Sequence, residues 1–544
     1  MAVLEFSSQD VAGYFLRYIV DTTVGQGFSA DIALLMSPML ALWQGLRDGL
    51  VIDVGASAGY VKTAVQLAFL RRSRRLQVRP AVVAVEPNAT MLGAMARCAA
   101  RGQDATAKGQ ACQCSFAQKR PRCGRRLPGR VCYVGAALSD RAGFSCLAQQ
   151  QRSGLGTLEW RLVRKTLEED RSLAVASALN SVQDGCRREG LSRVPVTTLD
   201  NLMYAWSTGQ LACDVMSRKE RPPIFSEAMN WTHQLPFVFL LKIDAEGHDD
   251  RILLGARALL AQSKVRFIIF EHLGMMKLHE RRTLRSTILA LNRNRMQCFM
   301  ILRFGKRSVL LAPLLRRTGL LETLDYLVRQ GKAYHSDILC GRHSDPGLRS
   351  LVAGLVPSHP PCARTFALQA LSSGAAGAAP ASFFCRAPAA EFSSLPAGGA
   401  LPEWMLAQDP WVVDILRADN TGHLTERELL ARVSVDDISE HGQANLGYWM
   451  FTVADRLFHG DRLGRECCLY ATALIAYRVA AALGEPRAIL DVAFFEHFGW
   501  AGTPRNDSRL DELYHRAASE GVVAGQLIWN LRLSRSEASD DSRQ

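Results

Sequence analysis

The spacing of hydrophobic and polar positions divides the chain into regions of different secondary structure. Over residues 1–47, apolar side chains such as Val11 and Phe15 recur on one face of a helix, which predicts an N-terminal helical segment. From residue 48 to 343, short β-branched runs alternate with helical stretches, which predicts an α/β domain. The spacing is helical again over 401–544, where no strand pattern competes, and it predicts a separate all-α domain with helices at Trp404–Leu416, Leu446–Phe458, Glu466–Leu483 and Ala518–Leu531.

The α/β region is predicted to contain eight strands and four helices. The strands are Leu50–Val54, Ala81–Val85, Val131–Val134, Val194–Thr197, Phe237–Ile243, Val265–Phe270, Gln297–Leu302 and Ser336–Leu339. The helices are Tyr60–Leu70, Thr90–Ala100, Asp249–Ala261 and Arg282–Asn292. Strands that are apolar on both faces and alternate with helices are typical of a parallel sheet covered on both sides. We therefore expect a doubly wound parallel sheet.

Two segments differ in composition from their surroundings. Residues 101–130 hold eight basic residues and one acidic residue with little periodicity, which predicts a basic surface insertion between the second and third strands. Residues 344–400 are rich in Ala, Pro, Gly and Ser, a composition typical of a linker. The linker would separate the α/β domain from the helical domain.

The overall composition is ordinary for a soluble globular protein, with 48% hydrophobic and 22% charged residues. It excludes a wholly disordered chain, a collagen-like fibre and a coiled-coil rod. The net charge of +13 is uneven: residues 401–544 carry 14 Arg and 22 acidic residues, a net of −8, which leaves +21 on residues 1–400. Because only 10 of the 65 basic residues are lysine and no aromatic residues are interleaved with the arginines of 101–130, a nucleic-acid partner is not expected.

The sequence also predicts a compartment. No uncharged apolar run approaches the ~20 residues of a membrane span, and the first ten residues hold two acids and no base, unlike a signal or transit peptide. The 14 cysteines are scattered without a Cys-x-x-Cys pair, so we expect reduced thiols, no disulfide framework and no metal site. Together these features predict a cytoplasmic protein.

A strand–turn–helix pattern at residues 51–60 is the strongest candidate for a binding site. Gly55 and Gly59 allow a tight turn and close approach of a ligand, and the amides of the following helix favour a carboxylate or phosphate. The next strand ends at Glu86, where a nucleoside-binding fold holds ribose hydroxyls. The separation of Gly59 and Glu86 exceeds the ~20 residues expected for a dinucleotide enzyme. A solvated strand-end acid is the alternative interpretation of Glu86.

Carboxylates and histidines also follow two later strands. They are Asp244, Glu246 and His248 after residue 243, and Glu271 and His272 after residue 270. Because ligands lie beyond the carboxyl ends of parallel strands, we expect these acids to face the same crevice as Gly55 and Glu86. Asp249 is instead expected to cap the next helix.

Five motifs in series resemble those of the FkbM-type S-adenosylmethionine-dependent methyltransferases. They are Asp-Val-Gly-Ala at 53–56, Val-Glu-Pro-Asn at 85–88, Ala-Leu-Ser-Asp-Arg-Ala-Gly at 137–143, Val-Thr-Thr-Leu-Asp at 196–200 and Lys-Ile-Asp-Ala-Glu-Gly at 242–247. The resemblance covers residues 48–343. Ser57 stands where the family often has Asn, Asp249 stands where it often has Glu, and the insertion 101–130 is extra.

The resemblance implies a seven-stranded, Rossmann-like methyltransferase sheet that binds S-adenosylmethionine. By the resemblance, Gly55 and Gly59 line the methionine portion, Glu86 binds the ribose, Ala137 lies near the adenine, and Asp53, Ser57 and Asn88 complete the cofactor-binding residues. Members typically methylate a hydroxyl of a sugar or polyketide. The expected activity is therefore O-methyl transfer to a small molecule or carbohydrate.

An alcohol is a poor nucleophile at neutral pH, so a positioned base should take its proton. We expect Asp244 or Glu246 to be that base, or to hold a water or metal that acts as one; His248 and His272 are weaker candidates. The alternative function is a non-catalytic, methyltransferase-like adaptor that binds a protein partner through residues 401–544.

The helical domain contains one motif of its own. Residues 417–428 resemble an EF-hand loop, with Gly422 at the sharp turn and Glu428 at the bidentate position, but Arg417 stands where the first acidic ligand should be. We expect at most a degenerate hand. A helix–turn–helix with Asp419 or Thr421 near a cap is the favoured alternative.

Overall fold

The structure is a computed structural model. It describes residues 3–7, 35, 39, 42, 49–56, 81–87, 130–147, 192–208, 235–245, 248–273, 284–304, 308–314, 320, 321, 324, 335–355, 367–369, 371, 372, 382–386, 440–459, 470–500, 503 and 506–541. Three predicted helices (Tyr60–Leu70, Thr90–Ala100 and Trp404–Leu416), nearly all of the basic insertion 101–130, and the EF-hand-like loop 417–428 lie outside these residues.

The described elements are thirteen strands and ten helices. The strands are β1 Val3–Ser7, β2 Leu50–Val54, β3 Ala81–Val85, β4 Arg130–Val134, β5 Ala137–Leu138, β6 Gly143–Leu147, β7 Ser192–Thr197, β8 Val238–Ile243, β9 Val265–Leu273, β10 Met296–Phe304, β11 Ser308–Pro313, β12 His335–Arg342 and β13 Ser382–Arg386. The helices are α1 Leu199–Ser207, α2 Asp249–Leu254, α3 Arg257–Ala261, α4 Leu284–Arg293, α5 Pro346–Leu355, α6 Glu440–His459, α7 Tyr470–Ala482, α8 Pro486–Phe498, α9 Asp507–Ser519 and α10 Val523–Asp541.

Eight strands form one mixed sheet in the order β11-β10-β12-β9-β8-β2-β3-β4. The five strands β4-β3-β2-β8-β9 are parallel, and β12 pairs antiparallel with β9. All seven predicted strands other than Val194–Thr197 belong to this sheet. The eighth strand of the sheet is β11, which pairs antiparallel with β10 and which the sequence pattern did not indicate. The protein is thus an α/β protein with a C-terminal helical region, and its sheet is mixed rather than wholly parallel.

The middle of the sheet is apolar on both faces. Every residue of β2 and β8 is buried, and the rings of Phe239 and Phe267 on neighbouring strands meet edge to face at 5.5 Å. Continuous apolar runs of this kind are what strands covered on both sides require. Asp53 and Lys242 are the exceptions in these two strands, and both are buried.

Two parts of the predicted α/β pattern differ in the structure. The predicted strand Val194–Thr197 forms as β7, but it belongs to a separate three-stranded sheet with β5 and β6. The single helix predicted over Asp249–Ala261 is two short helices, α2 and α3. The break falls beside Gly255, whose carbonyl accepts a hydrogen bond from the Asp200 amide at 2.9 Å, while the Asp200 carboxylate caps α3.

The predictions for the two segments outside the α/β region need correction. Residues Val3–Ser7, predicted as helical, form the strand β1, which pairs antiparallel with β13. Both α5 and β13 lie within 344–400, the segment predicted to be a linker. Local spacing does not reveal a pairing between segments so distant in sequence, which is why the strand β1 was missed.

The chain divides into two compact units. One comprises Leu35–Cys298 and His335–Gly347; the other comprises Met1–Leu34, Phe299–Tyr334 and Leu348–Gln544. These units differ from the predicted domains, because the second unit combines the helical C-terminal region with earlier segments of the chain.

The helices α6 to α10 have an aromatic core. Phe458, Tyr470, Tyr477, Phe495 and Trp500 are all buried, with neighbouring ring centroids 5.3 to 6.5 Å apart. The predicted helices Leu446–Phe458 and Glu466–Leu483 correspond to α6 and α7, whereas the predicted Ala518–Leu531 covers the end of α9, a turn and the first half of α10. The sequence did not indicate α8, because that helix is apolar on nearly every side and has no periodic stripe. Among the described residues, no helix has the length and apolarity needed to cross a bilayer.

Candidate functional site

The turns after β2, β3 and β8 lie side by side at the carboxyl ends of these parallel strands. The amides of Gly55 and Ala56 donate to the Val85 carbonyl at 3.0 and 3.2 Å, and the Asp244 amide donates to the Val54 carbonyl at 3.1 Å. Gly55 has φ +71°, and a Cβ atom there would lie 1.8 Å from the Asp244 carbonyl oxygen. Glycine is therefore required at residue 55 by the close approach of two backbone turns.

Glu86 lies one strand farther along the same edge. Its amide donates to the Val134 carbonyl at 3.0 Å, which fixes the backbone as it leaves β3. The residue is 4% exposed, so the alternative interpretation of Glu86 as a solvated strand-end acid is wrong. Glu86 thus lies buried at the carboxyl-terminal edge of the sheet, where ligands of doubly wound sheets bind.

A lysine joins two of the predicted site acids. Lys242 and Asp53 are register partners on β8 and β2, so their side chains project from the same face of the sheet. The Lys242 Nζ lies 3.4 Å from Asp53 Oδ1 and donates a hydrogen bond to Asp244 Oδ2 at 3.0 Å. The side chains of Asp53 and Lys242 are 1% and 8% exposed, whereas that of Asp244 is 25% exposed. Only Asp244 of the three presents much surface to solvent.

The charges of this group depend on one another. Burial alone would lower the pKa of Lys242, but Asp53 and Asp244, with a smaller contribution from Asp337, raise it above its ordinary value, so the lysine is a cation at neutral pH. Burial raises the pKa of Asp53, and the Lys242 ammonium opposes that rise. The ion pair is what makes either charge tolerable in the interior.

Glu271 and His272 were expected to follow the end of a strand, but both lie within β9. β9 continues to Leu273, and both residues are buried opposite β12, where Glu271 faces Asp337 in the antiparallel register. Asp249 does not cap the next helix as predicted. Its Oδ1 accepts a hydrogen bond from the Glu271 amide at 3.1 Å, so it fastens the start of α2 to β9.

The motifs around residues 137 and 200 have structural roles. The Asp200 carboxylate accepts hydrogen bonds from the amides of Ala258 and Leu259 at 2.8 and 3.0 Å, and so caps α3. Ala137 is buried against Val194 in the core of the small sheet.

The structure brings together four of the predicted site residues, namely Asp53, Gly55, Glu86 and Asp244. Ser57, Gly59, Asn88 and Glu246 lie outside the described residues. Sequence reasoning missed Lys242 as a site residue, although a lysine within an otherwise apolar strand was a visible signal. Among the described residues, no group of three or more His, Cys, Asp or Glu side chains could hold a metal ion.

Comparison with known proteins adds no relative: no family model, no curated protein and no solved structure matches this chain.

Proposed function

We propose that this chain is an S-adenosylmethionine-dependent O-methyltransferase that acts on a hydroxyl of a small molecule or carbohydrate. One observation carries the proposal. The five parallel strands have the chain order 3-2-1-4-5, which reverses between β2 and β8, and this order supports the proposal because doubly wound, Rossmann-like sheets have a similar reversal. Ligands of such sheets bind in the crevice at the reversal, and Gly55 and Asp244 follow the two strands that flank it.

The described residues fit the proposed cofactor. Glu86 is a buried acid one strand from the reversal, the position from which a doubly wound sheet holds ribose hydroxyls. Gly55 keeps the adjacent turn free of a side chain. Asp53 is 1% exposed and paired with Lys242, so its proposed contribution is to hold Lys242 rather than to contact the ligand. S-adenosylmethionine, when bound, supplies an electrophilic sulfonium methyl group.

Asp244 is the proposed base. It is the solvent-reachable member of the ion-paired group, and its Oδ2 is already held by Lys242, so the carboxylate has a fixed orientation. In the proposed reaction it would accept the proton of the acceptor hydroxyl as the oxygen forms its bond to the methyl carbon and the bond from that carbon to sulfur breaks, which leaves a neutral thioether. The remaining task of the protein is to hold that oxygen in line at about 3–3.5 Å. Glu246 remains a second candidate for the base.

A cytoplasmic location is part of the proposal, on the sequence features given above. One structural feature stands against it: Cys298 and Cys340 form a disulfide, and disulfides are rare in reducing compartments.

The test begins with titration calorimetry of the full chain with S-adenosylmethionine. Glu86→Gln should weaken binding about 10- to 100-fold, because hydrogen bonds to a charged group contribute about 1.5–3 kcal/mol. Glu512→Gln, on the exposed side of α9, is the matched control and should bind as the wild type does.

Transfer of a radiolabelled methyl group into a metabolite extract then tests the chemistry. Asp244→Asn should lower the rate about 10²- to 10⁴-fold while cofactor affinity stays within a few-fold. Absence of cofactor binding by the wild-type chain would refute the proposed function. Full activity of Asp244→Asn would refute the assignment of the base alone.

A further inference from the structure

We propose that Lys242 is a positioning residue, which holds the Asp244 carboxylate in one orientation so that Oδ1 faces the acceptor. The inference rests on the proposed function, in which Asp244 is the base, and it assigns a role to a residue that is itself buried.

A lysine at position 242 is not explained by packing. Its neighbours along β8, Leu241 and Ile243, are fully or almost fully buried, and Lys242 itself is 6% exposed. A buried ammonium is costly unless it is paired, and well-packed apolar residues of similar volume often give equal or greater stability. An unbranched methionine would fill the same space without a charge to desolvate.

The three charged groups are ordered from the interior to the surface. Asp53, the most buried of them, lies behind the ammonium at 3.4 Å and anchors it. The ammonium reaches forward to Asp244 Oδ2 at 3.0 Å. Asp244 Oδ1 has no partner among the described residues, so one carboxylate oxygen is held and the other is available for the acceptor. This is the arrangement in which a base is oriented by a third group.

The backbone reinforces the same arrangement. Asp244 cannot retreat toward β2, because the Gly55 turn already occupies that space and the Asp244 amide is bonded to the Val54 carbonyl. The carboxylate torsions are the freedom that remains, and Lys242 restricts them. A misplacement of about 1 Å in a reacting group can cost about 100-fold in rate.

The experiment separates positioning from stability with two variants. Lys242→Met leaves Asp53 buried without its cation, and the loss should lower the melting temperature by about 10 °C. The second variant combines Lys242→Met with Asp53→Leu, which replaces the whole buried pair by apolar groups and should recover most of that loss. Lys264→Met, a half-buried lysine that contacts none of these acids in the structure, is the control.

Cofactor affinity and methyl transfer into a constant metabolite extract are measured for all of these proteins. The expected result is that the double variant recovers its stability, binds S-adenosylmethionine within about three-fold of the wild type, and still transfers methyl groups about 30-fold more slowly. A double variant that recovers both stability and transfer would overturn the inference, because Lys242 would then serve stability alone. Failure of the wild type to bind the cofactor would instead overturn the proposed function and this inference with it.

Discussion

Substitution of alanine for Gly55 tests the contact between the turns after β2 and β8 most directly. The new methyl group would lie 1.8 Å from the Asp244 carbonyl oxygen and 2.8 Å from its carbonyl carbon. Both neighbours are backbone atoms, so no side-chain rotation relieves the overlap. One of the two turns must move, and the hydrogen bond from the Asp244 amide to the Val54 carbonyl lengthens or breaks.

The expected cost has three parts. A left-handed φ of +71° costs an alanine about 1–2 kcal/mol. Overpacking against fixed atoms adds about 1–3 kcal/mol, and the weakened hydrogen bond adds about 0.5–1.5 kcal/mol. The parts are not fully additive, so Gly55→Ala should lower the free energy of unfolding by about 3–5 kcal/mol.

Gly484→Ala is a matched control, because Gly484 has φ +85° but an added Cβ would meet no atom within 4 Å. It should lose only the conformational part, about 1–2 kcal/mol. Hydrogen exchange in increasing urea, read from peptides over β2 and β8 for one variant and over α7 and α8 for the other, measures each loss in its own unit. Equal losses for the two variants would show that the turns after β2 and β8 are not in close contact.

Three further predictions concern the α/β region. Asp200→Asn should lower the free energy of unfolding by about 1–3 kcal/mol at pH 7, because one capping amide loses its acceptor. Burial also raises the pKa of Asp200, so the folded state binds that proton more tightly than the unfolded state does. In urea titrations the wild type should therefore gain stability relative to the variant as the pH falls through that raised pKa toward the ordinary value of an aspartate. Arg266→Met should cost about 2–4 kcal/mol, because Arg266 donates to both carboxylate oxygens of Asp345 at 2.6 and 3.0 Å and lies over two phenylalanine rings; an unchanged melting temperature would contradict this. Peptide mapping without reductant should recover Cys298 linked to Cys340, whereas alkylation of both thiols in the unreduced protein would exclude the disulfide.

The sequence was most informative where one strong local signal was sufficient. The predicted limits of β2 and β3 match the structure, because each is a continuous apolar run with a polar or small-residue boundary. The sequence was uninformative where the local signal is uniform, as in α8, or where the partner is distant, as for β1. A helix that is buried on all sides, or a strand whose partner is distant in sequence, has no hydrophobic period that could be detected in the sequence.

The candidate site shows the same division. Gly55, Glu86 and Asp244 could be identified because each directly follows an apolar strand. The pairing of Lys242 with Asp53 could not be identified from the sequence, because it depends on the register of β8 against β2 rather than on any property of either strand alone. Asp200 belongs to the motif at 196–200, yet its hydrogen-bond donors are two backbone amides of α3, which only the folded structure brings close to it.

The charge at the strand edge also favours one class of nucleoside ligand over another. Doubly wound sheets commonly bind dinucleotides, whose pyrophosphate is anionic. Here one ammonium group, that of Lys242, is shared between two carboxyl groups, those of Asp53 and Asp244. At an effective dielectric constant of about 20, a phosphate charge about 5 Å from one unbalanced carboxylate is disfavoured by about 3 kcal/mol. A sulfonium cation at the same distance is favoured by a similar amount, so the charge of this group is in keeping with the proposed cofactor, S-adenosylmethionine, rather than with a dinucleotide.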